Sequence, residues 1–340
     1  MTSLRPVAIR SSRMFGAATA ALGVAFLAAC GAGVESDTVS AEGGSAVTIT
    51  DCGRDLTFAS TPKRVVGMMP TQTDLLLRLG LGDRLVGQAQ TSVSDLPPDV
   101  AAQARNVPVL SADAPPSRET LLEVEPDLVV APTSYEFTAE QGFADVGQIE
   151  RSGAHAYIAA GGCADRRSTA KVTDVLTDID NLGKVMRVPD AATRLADDSR
   201  RRLAAVDTAI DGRSRPTVAQ LYVEGNSLTA IGAGVEADII DRAGGANVFD
   251  PKSPEFADFF AAEINPEEII SRDPQVIVFG VTDARHEQRT RDYLQRRFGS
   301  LGAVRDGRLI AVAESDLHPG SLGNIGAVEK IARGLHPDVF

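Results

Sequence analysis

The segment Glu119–Val130 has the sequence ETLLEVEPDLVV, and residues 267–278 repeat its pattern as EEIISRDPQVIV. Each copy contains a glutamate, two apolar residues, a charged turn, a proline at the same distance and a final apolar run. Because proline ends helices and favours an extended residue before it, each copy predicts a short helix, a turn and a buried β-strand. The same pattern in both halves of the chain predicts two lobes of similar build.

Apolar runs of strand length alternate with helical patterns outside this repeat as well. A helix over residues 74–79 is ended by Gly80. Buried strands that alternate with helices are typical of an α/β fold with mainly parallel sheets, which we predict here. The predicted strands are residues 64–67, 85–87, 127–131, 218–223, 275–279 and 309–312.

A long amphipathic segment lies between the two copies of the repeat. It begins at Pro189 and ends at Gly212, and a helix of this length would extend ~33 Å. We therefore predict one long rigid helix that joins the lobes and permits only a small hinge motion. The residues on its apolar face are Leu195, Ser199, Leu203, Val206 and Ile210. The predicted divisions are an N-terminal lobe over 47–187, the connecting helix over 188–212 and a C-terminal lobe over 213–340.

The composition is that of an ordinary globular protein. Of 340 residues, 43% are hydrophobic and 24% charged, which excludes a disordered chain, a coiled coil and a collagen. The net charge of −12 is opposite to that of a basic nucleic-acid-binding protein. The 5% of aromatic residues and the absence of tryptophan argue against a stacking platform for sugars or single strands.

The N-terminus has the pattern of a signal peptide over residues 1–29. Three arginines precede an apolar run over 14–29, which is short for a membrane-spanning helix. The run ends in Leu-Ala-Ala-Cys30-Gly, which is similar to a bacterial lipobox, so we predict that Cys30 is lipidated. An ordinary signal peptide with a chance cysteine is the alternative. Residues 30–46 then form a flexible tether on the outer face of the cell membrane, and removing the arginines changes the net charge to −15.

Two further cysteines, Cys52 and Cys163, remain in the exported chain. An even pair in an oxidising compartment usually forms a disulfide, which we predict here. Two free buried thiols are the alternative. A metal-binding pair is disfavoured because no cysteine or histidine stands at ligand spacing from either one.

Motifs of catalysis are missing from the sequence. It contains no His-Glu-x-x-His zinc motif, no phosphate loop and no Gly-x-Ser-x-Gly elbow. Gly232-Ala-Gly234 begins like a dinucleotide-binding turn, but the third glycine is replaced by Ala237. We therefore predict a protein that is not an enzyme and has no cofactor.

Several segments together resemble the extracytoplasmic solute-binding lipoproteins of ABC importers for ferric siderophores, haem and cobalamin. The resemblance covers about residues 47–340 and implies two α/β lobes, one connecting helix and a ligand cleft between the lobes. It also implies a monomer that binds a small molecule, docks on a permease dimer, contacts the membrane through its lipid alone and binds no nucleic acid. The segments that carry it are residues 61–66, 72–87, 119–130, 243–249, 303–309 and 335–338.

Loops after parallel strands hold ligands in open α/β sheets, so the candidate binding residues come from those loops. Tyrosine and histidine can ligate iron or haem, and arginine can pair with carboxylates. The alternative for each is an ordinary surface residue. Phe256, Phe259 and Phe260 are candidates for an apolar cleft wall or for core packing, whereas His155 and His336 are expected to be structural. The candidate ligand-binding residues are Thr71, Gln72, Gln90, Tyr135, Tyr222, Asn226, Arg285, His286 and His318.

The resemblance implies a ferric siderophore as the first choice of ligand. Haem or a cobamide is the alternative, as is a lipid-anchored envelope protein without a transport role. The acidic charge favours a neutral hydroxamate or mixed chelate over an anionic catecholate. Haem would need an axial ligand, for which Tyr135, His286 or His318 is available. In cobalamin-binding relatives the glutamate seven residues before each repeated proline pairs with the permease, which assigns docking to Glu119 and Glu267.

Overall fold

A computed structural model describes residues 45–256 and 259–340. The predicted signal peptide, Cys30 and most of the tether lie outside the described residues. In the part of the chain that is described, no helix is both long and apolar enough to cross a membrane.

The α-helices are α1 Pro70–Arg78, α2 Pro98–Ala101, α3 Arg118–Glu123, α4 Val146–Arg151, α5 Asp174–Val185, α6 Pro189–Ile210, α7 Gly234–Arg242, α8 Pro266–Arg272, α9 Ala284–Phe298, α10 Gly302–Arg305 and α11 Gly323–Leu335. The strands are β1 Val47–Asp51, β2 Arg54–Phe58, β3 Val65–Gly67, β4 Leu85–Ala89, β5 Val109–Ser111, β6 Leu128–Ala131, β7 His155–Ile158, β8 Thr217–Glu224, β9 Ser227–Ile231, β10 Ala246–Asn247, β11 Ala261–Glu263, β12 Val276–Val281 and β13 Leu309–Ala313.

The N-terminal lobe contains a parallel sheet of five strands in the order β5-β4-β3-β6-β7. An antiparallel hairpin of β1 and β2 precedes it. Strands β3, β6 and β7 of this sheet are almost wholly buried, since helices and loops cover both faces, whereas the edge strand β5 has no buried residue. The predicted fold class is therefore confirmed in this lobe.

The C-terminal lobe contains a mixed sheet in the order β11-β9-β8-β12-β13, with β10 also paired to β8. Strands β8, β12 and β13 are parallel, as predicted. Strands β9 and β11 are antiparallel to their neighbours, because β9 returns directly from β8 through a turn at Gly225 and Asn226. This lobe thus departs from the N-terminal one at one edge of its sheet.

The sequence repeat forms the same unit in both lobes. Helix α3 leads through Pro126 into β6, and helix α8 leads through Pro274 into β12. The residue before each proline has a left-handed backbone, with φ of 42° at Glu125 and 41° at Asp273. The predicted repeat of helix, turn and buried strand is therefore confirmed, but the residue before each proline is left-handed and not extended, as proline by itself would favour.

Helix α6 belongs to the cores of both lobes. Ala192 and Ala196 near its start pack in a core cluster with α1 and β3 of the N-terminal lobe. Leu203 and Val206 near its end pack in a second cluster with β8, β12 and α11. The predicted helix between the lobes is thus present, with 22 residues.

The segment before α5 already packs on the C-terminal lobe. Ala170 and Val172, together with Val175 at the start of α5, belong to the same core cluster as Leu203. The Val172 N–H donates to a carboxylate oxygen of Asp238 in α7 at 2.8 Å. The chain therefore crosses between the lobes through α5 as well as α6.

Cys52 and Cys163 form a disulfide with their Cα atoms 5.3 Å apart. It joins the turn between β1 and β2 to the segment that follows β7. The structure thus contains the bond that the export signal and the cysteine count predict.

Asp178 in α5 is a fully buried carboxyl at the junction of the lobes. The Tyr157 hydroxyl donates to its Oδ1 at 2.7 Å, and the Ala160 N–H donates to the same oxygen at 2.8 Å. Burial nevertheless raises the pKa of Asp178 to about 7, because desolvation of the charged form outweighs these hydrogen bonds.

We expect Asp178→Asn to flatten the pH dependence of stability. The folded pKa of Asp178 exceeds the unfolded value of ~3.9, so the folded state binds more protons between about pH 4 and pH 7. The free energy of unfolding therefore falls as the pH rises through this window, and the variant should be more stable than the wild type at pH 8. Urea unfolding at pH 5 and pH 8 measures this, with the exposed Asp180→Asn as control. A variant that keeps the wild-type slope would contradict the assignment.

Candidate ligand cleft

A cavity of about 540 Å³ lies between the loops of the two lobes. Its walls are formed where the carboxyl ends of β4, β6 and β13 continue into loops, as expected for an open α/β sheet. We call it the cleft cavity. The N-terminal lobe lines it with Met69, Gln90, Thr133, Tyr135 and Glu136, and the C-terminal lobe with Phe259, Phe260, His318 and Pro319.

A second cavity of about 260 Å³ extends into the C-terminal lobe, and we call it the inner pocket. Residues of β8, α7 and the turn after β13 line it, among them Gln220, Tyr222, Glu236 and Glu314. The two cavities share the residues Arg167, Phe259, Phe260 and His318 in their walls. These four residues therefore separate the inner pocket from the cleft cavity.

The wall from the N-terminal lobe is built on a capped turn. The Thr133 hydroxyl donates to Glu136 Oε2 at 2.7 Å, and the Tyr135 N–H donates to the Thr133 hydroxyl at 3.1 Å. The side chain of Gln90 donates from Nε2 to the Met68 carbonyl at 2.8 Å. Burial raises the pKa of Glu136 above its ordinary value. This turn leaves Tyr135 half exposed at the mouth of the cavity.

Arg167, in the segment before α5, forms an ion pair with Glu236 of α7. Its guanidinium donates to both carboxylate oxygens of Glu236, at 2.5 and 3.0 Å, and lies 3.6 Å from the centre of the Phe260 ring. Both charged side chains are largely buried. Paired carboxylate and aromatic contacts fix the guanidinium in place and neutralise its charge.

His318 lines both cavities and has an unpaired ring nitrogen. Its Nε2 is buried and has no hydrogen-bond partner among the described residues. Burial, followed by the charge of Arg167, lowers the pKa of His318 to about 4, so the ring is neutral at pH 7. The Asn324 side chain donates to the backbone carbonyl of His318 at 3.1 Å and holds the loop in position.

The polar groups of the inner pocket are mostly acidic or neutral. Burial raises the pKa of Glu314, and burial together with the charges of Glu314 and Glu224 raises the pKa of Tyr222. The Tyr222 hydroxyl donates to a carboxylate oxygen of Glu224 at 3.3 Å. Gln220 is fully buried, and neither atom of its amide has a hydrogen-bond partner within residues 45–256 and 259–340.

The structure brings four predicted ligand-binding residues together at the cavities. Gln90 and Tyr135 line the cleft cavity, Tyr222 lines the inner pocket, and His318 lines both. Thr71 and Gln72 are buried at the start of α1, and the Gln72 side chain reaches the Pro319 carbonyl at 3.4 Å. Gln72 thus contacts Pro319 of the cleft wall, and the Thr71 hydroxyl donates to Gln72 Oε1 at 2.7 Å.

Three other predicted residues do not line either cavity within the described part of the chain. Asn226 is exposed in the turn between β8 and β9, and Arg285 is exposed in the first turn of α9. His286 is buried: the Thr282 N–H donates to its Nδ1 at 3.1 Å, and its Nε2 donates to the Val223 carbonyl at 2.7 Å. Both ring nitrogens of His286 are therefore occupied by protein groups.

Sequence reasoning missed Arg167, Glu236 and Gln220. Arg167 and Glu236 lie 69 residues apart, and no periodic pattern links them. Gln220 could have been found from the sequence, since it is a polar residue in the middle of an apolar strand. Of the three phenylalanines considered, Phe256 packs in the core, whereas Phe259 and Phe260 line the cavities.

Of the other histidines, His155 packs against Phe58 with ring centres 4.3 Å apart and a tilt of 51°, and His336 is buried beside the Gly244 carbonyl. Both positions fit the structural role predicted for them. No group of three or more histidine, cysteine, aspartate or glutamate side chains is placed to hold a metal ion in residues 45–256 and 259–340.

Comparison with known proteins identifies the family. Residues 65–314 match the family model described as Periplasmic binding protein. The Vitamin B12-binding protein of Vibrio campbellii is 23% identical over 224 residues, covering 66% of this chain and 73% of that protein.

Solved structures share the fold. A periplasmic binding protein from Veillonella parvula superposes with a TM-score of 0.76 at 22% identity, covering 86% of this chain and 99% of that one. A protein of an ABC-type Fe3+-hydroxamate transport system from Saccharomonospora viridis superposes with a TM-score of 0.68 at 24% identity. The match covers 85% of this chain and 98% of that one. Since the family model covers most of the chain, this protein belongs to the periplasmic binding protein family, whose members bind solutes and are not enzymes, as the sequence predicted.

Proposed function

We propose that this protein captures a ferric chelate of low net charge, of the hydroxamate type, in the cleft cavity and delivers it to an ABC importer. The pairing of Arg167 carries this proposal. Arg167 is the one cationic side chain that lines either cavity in the described part of the chain, and Glu236 neutralises it. A strongly anionic chelate would find no unpaired cation there, whereas a neutral chelate needs none.

The names of the relatives are divided between a hydroxamate and vitamin B12. One of the similar structures comes from an Fe3+-hydroxamate transport system, and curated relatives are named for vitamin B12. The volume of the cleft cavity lies within the range of ~300–1,000 Å³ that is typical of small-molecule sites. We therefore place the metal of the chelate in the cleft cavity, held by its own chelator and not by protein ligands.

Haem is the second candidate, and His318 favours it. A neutral imidazole with an unpaired Nε2 is a suitable axial ligand for haem iron, and Tyr135 stands in the wall of the same cavity. The propionates of haem, however, would lie in a cavity without an unpaired cation among the described residues.

Calorimetric titration with a ferric trihydroxamate, haem and cobalamin side by side tests the proposal. We expect saturable binding of the ferric trihydroxamate and much weaker binding of its iron-free form. If haem binding shifts the Soret band and His318→Ala or Tyr135→Phe abolishes that shift, the ligand is haem and not a ferric chelate. Binding of cobalamin alone would make the protein a cobamide carrier, and binding of none of the three would reject the proposal.

The family supports an extracytoplasmic location. We propose that the protein is held at the outer face of the membrane by a lipid on Cys30, which lies outside the described residues. Mass spectrometry of the membrane fraction should find the mature chain beginning at a lipid-modified Cys30. A chain processed elsewhere and recovered without lipid would contradict this.

We propose further that Glu119 and Glu267 dock the lobes on the two subunits of a permease. Both residues are exposed, and each lies in the first turn of the corresponding helix, α3 or α8. The two copies of the repeat therefore present one carboxylate per lobe. Charged residues at the rim of an interface set orientation and association rate more than affinity.

We expect Glu119→Arg combined with Glu267→Arg to reduce uptake by more than about ten-fold, because the reversed charges would face the arginines of the permease. The affinity for the ligand should stay unchanged, since neither residue lines a cavity in the described chain. The control is Asp197→Arg with Asp207→Arg, two exposed positions on α6. Equal loss of binding and uptake would show that the glutamates support the fold or the cleft instead.

A further inference from the structure

The inner pocket holds a buried amide for which the described chain supplies no hydrogen-bond partner. Gln220 lies in the middle of β8, is fully buried, and lines the pocket. Its Oε1 and Nε2 both lack a partner in residues 45–256 and 259–340. A primary amide offers two donors and one acceptor, and native proteins rarely leave such a group unsatisfied in their interior. Its position in a pocket wall indicates that the partner is a molecule that enters the pocket.

A comparison within the protein shows what a satisfied buried glutamine looks like. Gln88 in β4 is also buried, and its Nε2 donates to the carbonyls of Ala104 and Val107 at 3.2 and 3.0 Å. Gln88 lines neither cavity in the described chain. Gln88 thus supports the fold, whereas Gln220 contributes no hydrogen bond of that kind.

The other groups of the pocket define what can enter. The Nε2 of His318 is a second buried polar atom without a partner among the described residues. Ile231, Phe260 and Leu317 supply apolar surface. Arg167 is paired with Glu236, so no unpaired cation of the described chain lines the pocket. The pocket therefore suits an uncharged group that has an apolar stem and a polar end able both to donate and to accept.

The size of the inner pocket and its connection to the cleft cavity indicate that it holds only part of a ligand. The inner pocket, at about 260 Å³, is smaller than the ~300–1,000 Å³ typical of whole small-molecule sites. It shares Arg167, Phe259, Phe260 and His318 with the larger cleft cavity. A ligand whose body occupies the cleft cavity can therefore place one side arm in the pocket.

We infer that the inner pocket receives a neutral, amide-bearing arm of the cleft ligand, and that Gln220 exchanges hydrogen bonds with that amide. This assignment rests on the proposed function. A primary amide can donate to Gln220 Oε1 and accept from Nε2 at once, whereas a trans secondary amide, whose N–H and carbonyl point in opposite directions, satisfies one of the two atoms. Such an arm has two sources, the secondary amides in the chain of a linear trihydroxamate or the amide side arms of a corrin.

Gln220→Met tests the assignment, because methionine preserves the unbranched shape and removes the amide. The ligands are ferrioxamine B, whose chain contains secondary amides, cobalamin, and iron(III) tris(N-methylacetohydroxamate), which is neutral and has no amide arm. We expect the variant to bind ferrioxamine B about ten-fold more weakly, as for the loss of one hydrogen bond, or cobalamin about 10–100-fold more weakly, as for the loss of two, and to bind the tris complex unchanged. Gln88→Met is the matched control and should lower Tm while leaving the affinities unchanged. Gln220→Met should not lower Tm.

The outcomes separate this inference from the proposed function. If the wild type binds ferrioxamine B and Gln220→Met weakens it and the tris complex equally, or weakens neither, the pocket assignment is overturned and the proposed function stands. If cobalamin alone binds and loses affinity in the variant, the pocket assignment stands with a corrin as the source, and the hydroxamate proposal fails. If the wild type binds none of the ligands, both are rejected.

Discussion

Arg167→Met is expected to lower the free energy of unfolding by about 3–5 kcal/mol. The substitution leaves the Glu236 carboxylate largely buried without the guanidinium that donates to both of its oxygens. It also removes the cation from the face of the Phe260 ring. Urea unfolding at neutral pH measures the loss, which should exceed that of an exposed ion pair several-fold.

A double-mutant cycle shows whether the loss comes from the pair. Glu236→Gln alone should also destabilise the protein, whereas Arg167→Met combined with Glu236→Gln should cost much less than the sum of the two changes. The exposed pair of Arg201 with Asp198 on α6 provides a control cycle with little coupling. Additive effects at Arg167 and Glu236 would contradict the interpretation of the contact as a buried, energetically coupled pair.

Removal of the disulfide by Cys52→Ala with Cys163→Ala is expected to lower the free energy of unfolding by about 4–5 kcal/mol. The bond joins residues separated by 111 positions, and the chain-entropy model assigns a large stabilisation to a loop of that length. Urea unfolding of oxidised wild type, reduced wild type and the variant measures this. Reduced wild type should match the variant, and the variant should not respond to reductant. Equal stability in all three samples would contradict the prediction.

The same variant should weaken ligand binding. Gly162 and Ala164, the neighbours of Cys163, line the cleft cavity, and Arg167 follows three residues later. A Cβ atom on Gly162 would lie 1.8 Å from the Pro132 carbonyl oxygen, so this segment packs directly on the N-terminal lobe. Without the disulfide we expect a lower affinity for the ferric trihydroxamate, measured by calorimetry at a temperature where the variant is folded.

The fold could be predicted because its determinants are local. The prolines of the repeat fix where α3 and α8 end and where β6 and β12 begin, and these two buried strands consist of uninterrupted apolar runs. The antiparallel strands β9 and β11 could not be predicted in the same way. Strand β9 carries the polar residues Ser227 and Thr229 and therefore has no continuous apolar run, and β11 pairs with residues about thirty positions away.

The sequence predicted which loops form the site, but not which side chains of those loops line the cavities. The topology rule for parallel strands placed Gln90, Tyr135 and His318 at the cleft, because each follows a strand of known direction. Arg285 follows β12 by the same rule, yet it is exposed in the first turn of α9 and lines neither cavity in the described chain. Side-chain direction within a loop depends on tertiary contacts, which the sequence pattern does not contain.

The shared position of α6 has a consequence for folding. Ala192 and Ala196 complete one core, and Leu203 and Val206 complete the other, so neither lobe has its full apolar interior without this helix. A chain cut at either end of α6 would leave one fragment with an unfilled core. The lobes therefore form a single cooperative unit, and heat should melt them in one calorimetric transition even though the sequence repeat divides the chain into two halves.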